Sequence, residues 1–267
     1  MARFGIKIYA FALFFVIGSA PPVNAQMYNP NQYSNPVIQK MYYNQLMTTK
    51  AIGGLIQIHM LKANANSGKG NKGSAVKISA TQFRPTGVTI ISDEELAQVT
   101  KTPKEKQELE DFFKKCLQLY TTTASKDRFP ANDLAYALNY FLVNNYHVYK
   151  NVLENMDQYS SYGVLDVTKV PNYIYSAKEQ AVYNQLRTSL AANPKVTKLT
   201  DAEKEKFTGV LAIMTGVSLL TYKAGLDAKN REAIQTAQKM AKQNLENFLG
   251  TSPDNLTFTE SGFSAGN

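Results

Sequence analysis

Residues 130–150 read PANDLAYALNYFLVNNYHVYK and hold four tyrosines, four asparagines and one of the two histidines in the chain. Phenols, amides and an imidazole gathered in one helical stretch are the groups that a polar ligand pocket or an acid–base site uses. Carboxylates lie close by in sequence: Asp133, Glu154, Asp157 and Asp166. Two of them would suffice for a glycan hydrolase, provided the fold sets them roughly 5–10 Å apart. Three of them also have a plainer role. Asp133 suits a first-turn helix charge, and Glu154 and Asp157 suit a solvated helix end.

Other chemistries find little support. His59 and His147 are 88 positions apart and the chain has no HExxH or CxxC, so no metal centre is expected. No D-x-[DN]-x-[DN]-G loop offers calcium ligands. Gly68-Lys-Gly70-Asn-Lys-Gly73 has the residue types of a phosphate loop without its spacing or a preceding strand, and reads as linker. There is no GxSxG to present a serine. The single cysteine, Cys116, lies on the stripe Leu109, Phe112, Phe113, Cys116, Leu117, Tyr120, which makes it a small buried hydrophobe rather than a nucleophile. No cofactor is expected.

The formal net charge is +8. Its clusters are Lys69, Lys72 and Lys77, and then Lys101, Lys104 and Lys106. Such charge suits anionic envelope polymers or lipid headgroups, or is simply a solvated linker and helix face. It is not interleaved with aromatics as in nucleic-acid readers, so no nucleic-acid partner is expected.

The chain opens MARFGIKIYAFALFFVIGSAPPVNAQ. Arg3 and Lys7 precede an apolar run from Ile8 to Ile17, and Val23 and Ala25 occupy the −3 and −1 sites, so a secretory signal cleaved after Ala25 is expected. The run is too short to span a bilayer. The next most apolar stretch, Val210–Leu220, is also too short by itself, so no transmembrane anchor is expected after cleavage. Residues 26–36 read as a disordered leader, 37–62 as a helix bent at Gly53-Gly54, and 63–77 as a flexible linker. The main domain starts near Thr81.

From there capping signals mark helix starts: Ser92–Glu95, Thr102–Glu105 with Pro103 at the first helical position, Ser176–Glu179 and Thr200–Glu203, with Asn132 as the cap of the quoted stretch. They predict helices near 92–99, 103–124, 132–155, 176–192, 201–224 and 230–249. The β-rich candidates, Lys77–Ile91 and Leu256–Phe258, are short. The expected class is all-α, a single globular bundle of about six helices.

On a wheel, Leu134, Leu138, Phe141, Leu142, Val148, Tyr149 and Val152 share one face with Asn145 in its middle, and Tyr136, Tyr140, Val143 and His147 share the other. A helix apolar on both sides is central, so Asn145 and His147 are expected to be buried core polar groups. Asn145 should then be hydrogen-bonded by another buried side chain or a nearby carbonyl, the alternative being that it points into a polar ligand pocket. Asn139, on the opposite side, is expected to tolerate a change to alanine better than Asn145 does. Gly209 and Gly216, seven apart in the 201–224 helix, predict a close approach by a neighbour. The last helix carries one stripe, Ile234, Ala237, Ala241, Leu245, Phe248 and Leu249, and should lie on the outside of the bundle.

Phe83-Arg84-Pro85, ANDLAYALNYFLVNNYHVY at 131–149, LTDAEKEKF at 199–207 and LGTSPDNLTFTESGF at 249–263 together resemble a bacterial family of exported helical domains of unknown function. The resemblance runs from Thr81 to about Phe263 and leaves residues 26–80 outside it. It implies export and a helical fold, and no activity, substrate or site. The expected function is a non-enzymatic domain that binds or organises an envelope or extracellular protein or an anionic polymer, with a two-carboxylate hydrolase as the alternative.

Overall fold

The computed structural model describes residues 78–161 and 164–265. The expected signal, leader, 37–62 helix and 63–77 linker lie outside the described residues. Eight α-helices follow in order among them: α1 (Asp93–Ala97), α2 (Pro103–Asp127), α3 (Leu134–Tyr149), α4 (Val152–Asn155), α5 (Ser176–Ala191), α6 (Pro194–Thr197), α7 (Asp201–Asp227) and α8 (Arg231–Leu249). Two antiparallel hairpins, β1 (Ser160–Ser161) with β2 (Val164–Leu165) and β3 (Leu256–Thr259) with β4 (Gly262–Ala265), are the sheet structure among the described residues. The class is all-α.

Local chemistry explains where most helices start. Ser92, Thr102 and Thr200 close capping boxes with Glu95, Glu105 and Glu203, each pair satisfying two otherwise orphaned backbone donors. Two expected caps differ. Asp133, not Asn132, caps α3, its Oδ1 accepting from the Ala135 N–H at 2.8 Å; Asn132 instead donates to the Phe83 carbonyl at 2.8 Å and holds the preceding segment. Ser176 is not a cap at all: α5 starts behind Tyr175 with no side-chain cap, the Glu179 N–H donating to the Tyr175 carbonyl and the Glu179 carboxylate accepting from Asn139. The expected 132–155 helix is also broken in two. Asn151 adopts a left-handed conformation (φ 55°) between α3 and α4, which an asparagine tolerates better than most residues.

α3 is the centre of the bundle, contacting α5 on one side and α7 and α8 on the other. Fourteen of its 16 residues are buried, so both faces of the wheel are covered. α7 packs against α2, α3 and α8, and α8 buries the stripe Ala233, Ile234, Ala237, Ala241, Leu245 and Phe248. Burial of side chains the size of Leu138, Phe141 and Leu142 stabilises by about 1.5–3 kcal/mol each. By length and composition α7 would reach across a membrane, more than its shorter apolar run suggests, but 72% of its most apolar window is buried within the fold, as in a core helix.

Two glycines of α7 permit that packing. A Cβ at Gly216 would stand 2.5 Å from the Cβ of Cys116 on α2. A Cβ at Gly209 would meet Ile90, from the extended segment before α1, at 2.6 Å. The same helix seam therefore admits two different neighbours, a helix at one end and a loop side chain at the other.

Candidate functional site

A cleft of about 410 Å³ opens between the segment 168–175, the end of α3, the start of α5 and residues 256–258 of β3. Tyr146, Tyr173, Tyr175 and Phe258 supply aromatic walls, Lys169 and Lys178 supply positive charge, and none of the residues lining it is acidic. The lysines are oriented rather than loose. Lys169 Nζ lies 3.1 Å from Asp166 Oδ2, and Lys178 Nζ lies 5.0 Å from the centroid of the Tyr175 ring. The Tyr175 hydroxyl donates to Glu260 at 2.9 Å. On the inner side the Tyr146 ring packs on Phe258 with centroids 4.8 Å apart, and its hydroxyl reaches Asn172 at 3.4 Å.

α3 pins the outer wall of this cleft at two points. His147 Nε2 accepts from the Ile174 N–H at 2.9 Å, and its ring stacks on Tyr173 at 5.1 Å and 10°. Burial pushes the imidazole down to about 3, so it stays neutral and keeps an acceptor for that N–H near neutral pH. Two turns earlier, Asn139 Nδ2 donates to Glu179 Oε1 at 3.1 Å, tying α3 to the first turn of α5. Asn139 has no exposed surface, because α5 covers that side of the helix.

The Asn139–Glu179 contact is incomplete. Asn139 Oδ1 and the buried Tyr136 hydroxyl have no hydrogen-bond partner. The charge acting on half-buried Glu179 is that of Asp127, at the end of α2, of the same sign. Burial first, and then Asp127, push the Glu179 carboxyl up to about 7, while the Asn139 bond pulls it back. Tyr173, in the cleft wall, is pushed up to about 12 by burial with Glu179 and Asp127 adding, so the acids and the wall share one electrostatic neighbourhood. Sequence reasoning missed Glu179, because its spacing from Ser176 reads as a capping box.

On the other side of α3, Asn145 is fully engaged. Its Nδ2 donates to the Phe141 carbonyl at 2.8 Å and towards Thr215 Oγ1 at 3.4 Å. Its Oδ1 accepts from Ser218 Oγ at 2.9 Å and from Asn244 Nδ2 at 2.8 Å. The amide thus joins α3, α7 and α8 and does not face the cleft.

The carboxylates singled out in the sequence are not gathered into one site. Asp133 is buried, capping α3 and accepting from Tyr183 at 2.9 Å. Glu154 pairs with Arg231 at 2.7 Å. These two flank the 16-residue α3, whose rise alone separates them by roughly 24 Å, beyond the reach of a hydrolytic pair. Asp166 holds Thr168 and Lys169. The side chain of Asp157 lies outside the described residues. Cys116 has no exposed surface and burial pushes its thiol up to about 12. Among the described residues no group of three or more His, Cys, Asp or Glu could hold a metal ion.

A model described as a family of unknown function (DUF6683) matches residues 5–159 and 175–265. No curated protein and no solved structure matches the chain. The family match covers residues 26–80, which the resemblance seen in the sequence left out, and it passes over residues 160–174. That interval contains most of the outer wall of the cleft, while α3, α5 and β3, which frame it, fall inside the match.

Proposed function

The chain belongs to this family of unknown function, and on that premise we propose that it is an exported, non-enzymatic helical domain that binds an anionic envelope polymer in the cleft between the 168–175 segment and β3. The composition of the cleft carries the reading: tyrosine walls and two lysines, with no carboxylate among the residues that line it. Aromatic faces accept the flat faces of sugar rings, and fixed cations select acidic ones. A wall that the family match passes over, mounted on elements it includes, suits a binding loop on a rigid scaffold. The apolar run and Ala25 cleavage site support export. Polygalacturonate, titrated against the protein at low salt with neutral dextran as control, tests the reading. Binding by the polyanion alone, weakened about tenfold in Lys169→Glu/Lys178→Glu and by added salt, is expected. Equal binding of both polymers, or none, refutes it.

A two-carboxylate hydrolase is the second reading, favoured by the raised Glu179 carboxyl beside Asp127. Neither acid was a candidate from sequence. Release of reducing ends from cell-wall glycan by the wild type, lost in Glu179→Gln, would support it.

A further inference from the structure

Asn139 and Glu179 are an asymmetric pair. The amide offers a donor and an acceptor from one carbon; only the donor is used, on the carboxylate, and the oxygen is buried without a partner. A charged carboxylate can only accept, so Oδ1 has no use for it. A protonated carboxyl can donate, and an asparagine side chain presents either atom by turning over about its last torsion. The contact therefore has two self-consistent forms, related by one proton and one amide flip. In the charged form Glu179 carries its charge in a half-buried site that Asp127 makes worse.

The position of the pair gives the two forms a consequence. α5 has no side-chain cap, and Asn139 bonds its first turn to α3, one helical turn before Tyr183 bonds Asp133. Glu179 follows Lys178 directly, and its N–H donates to the Tyr175 carbonyl at 3.0 Å; both of those neighbours line the cleft. We propose that Asn139 and Glu179 form a proton-operated catch between α3 and α5: protonated Glu179 donates to Asn139 Oδ1 and stays buried with the cleft wall in place, and loss of that proton draws the carboxylate towards water, which loosens the wall despite the Asn139 N–H bond and sets a negative charge beside Lys178. The phenols and the imidazole around Glu179 do not take over the titration. Tyr136 on α3 and Tyr173 in the wall are both raised by burial and stay protonated; Asp127, at the end of α2, is the second acid of the neighbourhood, raised by burial and drawn back by Lys126. His147 protonates only in strong acid. The catch deepens the reading of the cleft as an anion site, and its effect on binding rests on that reading.

The test follows the backbone amide resonances of Ile174, Tyr175 and Lys178 in the whole chain from pH 5.5 to 8.5, in the wild type and in Glu179→Gln. The expected result is a common midpoint near neutrality in the wild type and flat profiles in the variant, whose amide supplies the donor at every pH. Flat profiles in the wild type overturn the catch, whatever the cleft binds. A parallel titration with polygalacturonate, whose own carboxylates stay charged over this range, should show affinity rising roughly threefold from the alkaline to the acidic end, and no pH dependence in Glu179→Gln. Titrating amides with pH-independent affinity overturn the regulation and leave the cleft reading standing. Titrating amides with no binding at any pH remove the cleft reading and the regulation together, and leave the catch as a feature of the fold.

Discussion

Asn145 and Asn139 sit six residues apart on α3, and neither has exposed surface. Asn145 gives and receives on both atoms, with partners on α3, α7 and α8. Asn139 uses one atom, on a carboxylate that would rather be neutral. Both lie on a helix whose surroundings are mostly hydrocarbon, where an unpaired polar group costs free energy. The difference lies in the partners. Hydroxyls and amides complete Asn145 without any titratable group, so that network has one form over a wide pH range. The Asn139 side contains a carboxylate and therefore depends on the medium. One face of the helix is a rigid joint, and the other, which carries the cleft wall through Asn139 and His147, is adjustable.

The largest effect expected from this contrast is in Asn145→Ala. The substitution removes the acceptor that Asn244 Nδ2 and Ser218 Oγ share, leaving Ser218 the Thr215 carbonyl, and opens a small void, so a loss of about 1–3 kcal/mol is expected in urea unfolding, with little change across pH 5 to 8. The double variant Asn145→Leu/Asn244→Leu should cost less than the sum of its single changes, because it removes the polar partners together. A loss below about 1 kcal/mol for Asn145→Ala would mean that the joint is not a joint.

How much of this was legible follows the same division. The position of Asn145 follows from hydrophobic periodicity, because the leucines and phenylalanine around it define a face without reference to any other helix. Three capping boxes are equally local, each contained within four residues. Asn139 and Glu179 are 40 positions apart, and no local rule pairs them. Local rules point the other way, placing Glu179 on Ser176 and giving Asn139 no partner. The break at Asn151 was hidden for the same reason, since its side-chain oxygen accepts from the distant Tyr222 hydroxyl at 2.6 Å. The cleft was not legible at all, being assembled from four segments of which one, 168–175, has no regular period.

Next in size is Glu179→Gln. Glu179 binds its proton more tightly in the folded chain, at about 7 against an ordinary 4.5, so its ionisation costs stability that is lost progressively as pH rises from 4.5 to 7. Glutamine removes that cost. The variant should be more stable than wild type by about 1 kcal/mol above pH 7, discounted for partial exposure, and indistinguishable in its charge contribution below pH 4.5. His147 works in the opposite direction. Its folded value of about 3 lies below the ordinary 6.5, so its contribution is complete above 6.5 and is lost as pH falls from 6.5 towards 3. Between 4.5 and 6.5 the two slopes oppose each other, and the wild type should show a shallow profile there. Glu179→Gln should expose a rise of stability with pH over that window, and a variant at His147 a fall. Slopes of the same sign in both variants would show that one of the two groups does not titrate as the structure places it.

The smallest effect, and the sharpest on the catch itself, is expected from Asn139→Leu. Leucine has the heavy-atom branching of asparagine and is bulkier, so it leaves no void. It removes both the used donor and the unused acceptor, and so leaves no orphaned amide atom behind. What it strands is the Glu179 carboxylate, which is half-buried and can recruit water. The loss of stability at pH 5.5, where Glu179 is protonated and gives up only a neutral hydrogen bond, should be about 1 kcal/mol or less. At pH 8 the charged carboxylate loses the donor that offsets part of its burial, and the cost should be greater. The same bond is what holds the Glu179 carboxyl down against burial and Asp127, so its removal must move the midpoint of the Ile174 and Tyr175 amides upward from neutrality, provided they still report on α5. Asn145→Ala, with a much larger effect on unfolding, should leave that midpoint where it is. A midpoint that follows the size of the destabilisation, and not the identity of the asparagine, would mean that the two faces of α3 are one cooperative unit and that the contrast between them is only one of degree.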